Sequence, residues 1–81
     1  MNIQLIQGEF DTRDALDLIA QMLQVKISYH ETKILTSNHE EDIKRRESRI
    51  KALQNALYDV RNQVSSAQGN IKLNAEINIE R

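Results

Sequence analysis

Lys44-Arg45-Arg46-Glu47-Ser48-Arg49-Ile50-Lys51 is the basic cluster of this chain, and the chemistry such a run offers is contact with phosphates. Lys44, Arg45, Arg49 and Lys51 are the side chains that would make it. The same run has a plainer reading. Glu40–Lys44, Glu41–Arg45, Asp42–Arg46 and Glu47–Lys51 each stand four apart with the acid first, the orientation in which ion pairs support a helix surface. Glu40, Glu41 and Asp42 also bring the local charge close to neutral. A self-paired, solvated helix face is therefore the expectation, and nucleic-acid contact the alternative.

His30 and His39, with Glu31, Glu40 and Glu41, are the residues from which a metal site would have to be built. His30 and Glu31 are adjacent, so on a helix they point in different directions, and no His-x3-His pair seeds a site. The serines at 28, 37, 48, 65 and 66 show no pattern of an activated nucleophile, and Gly8 and Gly69 belong to no phosphate-cradling loop. No catalytic residue, metal or cofactor is expected, and the chain reads as non-enzymatic.

The elements that would position these groups are bounded by composition. The chain has 81 residues, enough for one domain. A monomer of this size buries only about 60% of the surface its unfolded chain exposes. Small chains compensate with disulfides, metals or partner subunits. Cysteine is absent, which excludes disulfides and zinc–thiolate sites and leaves association. Charged residues at 28% with a net charge of -1 argue against disorder and against bulk attraction to nucleic acid or membranes. The start of the chain, Met1-Asn2-Ile3-Gln4, lacks the basic and apolar regions of a signal peptide, and no apolar run approaches the ~20 residues of a membrane span. The cytoplasm is the expected compartment.

Both glycines sit where the hydrophobic period changes. Before Gly8, Ile3 and Leu5 alternate with Asn2 and Gln4, imperfectly because Ile6 follows. After Gly69, Ile71, Leu73, Ala75, Ile77 and Ile79 alternate with Lys72, Asn74, Glu76, Asn78 and Glu80. That period of two predicts strands over roughly 2–9 and 71–80. Between them the period is helical. Asp11 or Thr12 can cap a first helix over roughly 12–35. Ser37-Asn38-His39-Glu40 matches a capping box and places a second helix over roughly 38–67. Each helix would be about 36–45 Å long. The predicted fold is mainly α, in the order β-α-α-β: a long antiparallel helical hairpin flanked by two short terminal strands.

The second helix carries a coiled-coil seam of Ile43, Arg46, Ile50, Leu53, Leu57, Val60, Val64 and Ala67, apolar except at Arg46. The first helix carries two stripes. Leu16, Ala20, Leu23, Ile27, His30 and Ile34 form one, and Ala15, Leu18, Met22, Val25, Tyr29 and Thr32 the other. Folding the chain at Thr36-Ser37 pairs positions whose numbers sum to about 73. Leu16, Leu23 and Ile27 then pack against Ile50, Leu53, Leu57 and Val60, with Ile50, Leu53 and Leu57 nearly inaccessible. The two strands start and finish at the same end of the hairpin and can pair antiparallel.

The stripe with Leu18, Met22, Val25 and Tyr29 is left without a neighbour. Exposed, it would be an apolar patch of roughly several hundred Å2, the size that marks an interaction site. A twofold dimer resembling a four-helix bundle buries it and joins two ribbons into a larger sheet. The expected function is structural or adaptor, acting through homo-oligomerisation and contacts of protein with protein. The order strand, helix, helix resembles that of ribbon-helix-helix DNA binders. The resemblance stops there, because these helices are about twice too long and a second strand follows.

Overall fold

The computed structural model describes residues 1–81 and runs β1 (Asn2–Phe10), α1 (Thr12–Thr36), α2 (Glu40–Ser65), β2 (Ile71–Asn78). The order is β-α-α-β, mainly helical, with one two-stranded antiparallel sheet.

Local chemistry sets most of the boundaries. Asp11 is extended, and its carboxylate accepts the Asp14 N–H at 2.7 Å, which starts α1. Lys33 occupies the last turn, where the helix dipole favours a cation. Gly69 adopts φ +79, a left-handed conformation suited to glycine, in the turn between α2 and β2.

The capping box expected at Ser37 does not form. Ser37 instead closes α1, donating its N–H to the Ile34 carbonyl at 3.2 Å, while its hydroxyl accepts the His39 N–H at 3.3 Å. His39 holds the cap position of α2 without a side-chain bond, so the helix begins at Glu40 rather than 38. The box needs its serine directly before the first helical residue. Here Ser37 and His39 are both extended and the turn lies between them. Glu40, Glu41 and Asp42 fill the first turn and supply the negative charge that the orphan amides favour.

This later start moves the hairpin register. His30 and Arg46, whose numbers sum to 76, meet across the interface. This contact departs from the expected sum of 73, which would have set His30 against Ile43.

β1 and β2 pair within the chain, from Asn2↔Asn78 to Phe10↔Ile71, with a bulge between Gln4 and Ile6. The bulge explains the imperfect alternation of the first strand. Leu5 is the extra residue, and it shifts the phase so that Ile3, Ile6, Gly8 and Phe10 lie opposite Ile77, Ala75, Leu73 and Ile71. The Gln4 side-chain amide donates to the carbonyls of Ile6 at 3.0 Å and Ala75 at 3.3 Å, at the point where the bulge interrupts the ladder.

The molecule spans 47 × 32 × 13 Å. The short dimension is that of one layer of secondary structure, so the ribbon extends from the base of the hairpin and does not lie across its face. Burial is correspondingly thin. Ala15, Ile27, Val64 and His30 are the buried residues. Ile50, Leu53 and Leu57 are half-buried, not inaccessible, because only one helix lies against them.

Candidate interaction surface

Burial along the expected seam is partial. Ile27 is buried, while Leu16, Leu23, Ile50, Leu53, Leu57 and Val60 are half-buried. Ala67 lies beyond the helix end and is exposed.

The second stripe of α1 shows a gradient. Ala15 is fully buried at the base, Leu18 and Met22 are half-buried, and Val25 and Tyr29 are 71% and 53% exposed. Cover is lost with distance from the ribbon, towards the hairpin tip. Ile3 and Ile77, paired at the far end of the ribbon, are exposed as well.

A polar knot closes the tip. His30 is buried, and its Nδ1 lies 3.1 Å from Arg46 Nη1. A guanidinium only donates, so Nδ1 is the acceptor and the imidazole proton sits on Nε2, which is buried without a partner. Arg46 Nε also donates to Asp42 at 3.2 Å, and its guanidinium lies 5.7 Å from the Tyr29 ring centroid. Arg45 donates to the other Asp42 oxygen at 2.8 Å. Burial, then the charges of Arg46, Arg49 and Lys26, push the His30 imidazole below its ordinary range. The Ser37 hydroxyl, then Arg45 and Arg46, hold the Asp42 carboxyl below the usual carboxylate range against the opposing effect of burial. Arg46, the one polar residue in the α2 stripe, is therefore ion-paired within α2 and hydrogen-bonded to His30 of α1.

The basic run is divided. Lys44 pairs with Glu40 at 3.3 Å and Arg45 with Asp42, where Glu41 was the expected partner. Arg45 and Arg49 line a shallow pocket with Tyr29, His30 and Arg46. Lys51 lies on the opposite side of the hairpin, in a groove with Glu31, Ile34, Leu35, Glu47 and Ile50. Lys44, Arg45, Arg49 and Lys51 thus form no single patch. His39 lines a pocket with Glu41 and Asp42, away from His30, and no three His, Asp or Glu side chains gather at metal-holding distance.

A further stripe on α2 escaped the hydrophobic pattern. Arg45, Arg49, Ala52, Ala56, Asp59 and Gln63 are spaced alternately four and three apart. All are exposed except the half-buried Ala56. The spacing was the available signal; the mixture of charges and alanines hides it from hydropathy. No helix is long and apolar enough to cross a membrane. Comparisons with protein-family models, curated proteins and solved structures found no match to this chain.

Proposed function

We propose that the chain is a self-associating, non-enzymatic structural or adaptor protein whose second copy covers the stripe of Leu18, Met22, Val25 and Tyr29. The observation that carries this reading is the mismatch between surface and size. The chain exposes 6583 Å2, whereas a folded monomer of its 9.4 kDa exposes about 5,000 Å2. The excess of about 1,500 Å2 exceeds the ~800 Å2 that each partner contributes to a standard interface. The radius of gyration, 15.3 Å, is likewise larger than the ~12 Å of a compact domain of this length. A second layer supplied by a second copy lowers the surface exposed per chain towards the ordinary range.

The dimer works in the cytoplasm in this reading, since a chain free of cysteine needs no oxidising compartment. It presents its outer surface to another protein. Nucleic-acid contact is less well supported, because Lys44 and Arg45 are already ion-paired and Lys51 faces away from Arg49. Sedimentation of the native chain at micromolar concentration tests the proposal. A dimer or larger species is expected, and a folded monomer overturns it. Binding to generic DNA with a steep salt dependence would favour the nucleic-acid reading.

A further inference from the structure

The stripes on α1 and α2 share one side of the hairpin, and their charges are unevenly distributed along it. Tyr29 of the first stripe and Arg45 and Arg49 of the second line one pocket. Leu35, Glu47 and Lys51 at the tip, and Asp17 and Arg61 towards the base, line pockets on the other side. On the shared side the half towards the tip gathers Lys33, Arg45, Arg46 and Arg49. Lys33 Nζ lies 5.8 Å from the Tyr29 centroid, and Arg45, Arg46 and Arg49 line the pocket beside Tyr29 and His30. Only Glu41 and Asp42 offset them there. Towards the base, the α2 stripe continues through Ala52 and Ala56 to Asp59 and Gln63.

A twofold axis can lay this side on its copy in two ways. With the axis along the helices, the tips coincide and α1 covers the partner's α2. Two basic tips then meet, and like charges across an interface are costly. With the axis across the helices, the tip of one hairpin lies towards the base of the other. Each α2 then runs antiparallel to the partner's α2. The geometry points to this second arrangement: the chain docks on a second copy of itself tip to base, with Arg49 of each protomer facing the partner's Asp59 on either side of a central Ala52–Ala56 contact. This inference rests on the self-association proposed above.

The stripe is self-complementary in the antiparallel sense. Positions 49 and 59, 52 and 56, and 45 and 63 are equidistant from position 54. The pairs are Arg with Asp, Ala with Ala, and Arg with Gln. The alanines at the centre let the two α2 helices approach closely, and the charge pairs fix orientation more than they add affinity.

The α1 stripe agrees independently. Its centre lies between Met22 and Val25, so Met22 meets the partner's Val25 and Leu18 the partner's Tyr29. The hairpin register of 76 puts position 54 of α2 level with position 22 of α1. The two centres therefore fall within about one helical turn of each other, so that a single axis can serve both stripes.

The absence of cysteine permits a direct test. Asn38→Cys in the exposed hairpin turn carries a single spin label. Position 38 is 16 residues from the axis, so pulsed dipolar spectroscopy on the dimer should read about 50 Å between labels. A distance below about 25 Å means that the tips coincide, which overturns this arrangement while self-association stands. A monomer in sedimentation overturns the self-association itself. Arg49→Asp and Asp59→Arg should each raise the dimer dissociation constant about tenfold, and the two together should restore it. Failure of the double exchange to restore dimerisation also overturns the arrangement.

Discussion

Arg46 donates from Nη1 to Nδ1 of His30 at 3.1 Å, across the line where α1 meets α2. The contact joins a buried imidazole to a guanidinium already held by Asp42, so the charge state of His30 bears on whether the hairpin tip stays closed. Burial and three nearby cations keep that imidazole neutral in the fold. In the unfolded chain it takes up a proton near its ordinary value of 6.5.

The unfolded state therefore binds more protons in this window, and stability rises with pH across it. As pH falls through about 6.5 towards the lower folded value, that stability is lost. Denaturant midpoints should drop between about pH 7.5 and pH 5.5. His30→Gln keeps an acceptor for Arg46 but cannot titrate, and should flatten this part of the curve. Parallel curves for the two proteins would mean that His30 titrates alike in both states. Asp42 acts in a separate window. Its depressed pKa contributes stability above the ordinary 3.8, lost as pH falls through the lower folded value.

Ile27 is the large apolar residue most enclosed by the seam, at 3% exposure. Ile27→Ala should destabilise the protein by about 2–5 kcal/mol through lost transfer energy and a residual cavity. Chemical denaturation measures this, and a change below ~0.5 kcal/mol would be that of a surface position.

Met22 and Val25 lie at the centre of the uncovered stripe. Replacing both with glutamate should dissociate the oligomer, or unfold it where no monomer is stable alone. Sedimentation and circular dichroism together separate these results. A double variant that keeps the native oligomer size would remove this stripe from the interface.

Leu5 is the unpaired residue of the bulge, while Gln4 and Ile6 keep their partners Glu76 and Ala75. Deleting Leu5 should preserve the pairing on both sides and cost at most about 1 kcal/mol. Cross-strand nuclear Overhauser contacts between Ile3 and Ile77 should survive. Their replacement by contacts of Ile3 with Glu76 would show that the extra residue sets the register.

The β-α-α-β order was legible because its signals are local. Asp11 caps α1, Gly69 marks the turn between α2 and β2, and the alternation from Ile71 to Ile77 announces β2. The bulge was not, because the phase slip between Ile3 and Ile6 reads equally as the fading end of a strand; only the partner strand resolves it. The hairpin register was displaced for a related reason. Ser37 and Glu40 have capping-box spacing, but the same serine can close the preceding helix, and long-range contact between His30 and Arg46 marks the register adopted. At the candidate surface, the large apolar residues of α1 stood out, whereas the α2 stripe of arginine, alanine and aspartate had no hydrophobic contrast to reveal it.

The pairing of β1 with β2 has a consequence for the order in which the chain folds. Asn2 and Asn78 are ladder partners from far apart in the sequence, and even the nearest rungs, Phe10 and Ile71, enclose both helices. Closing so long a loop before the hairpin exists costs entropy without local contacts to offset it. The helical hairpin must form first and bring the two ends together, and the ribbon zips last. Until then each strand is an unprotected template for the wrong neighbour, and Glu9, Lys72 and Glu76 stand along them as the charges that discourage such mispairing.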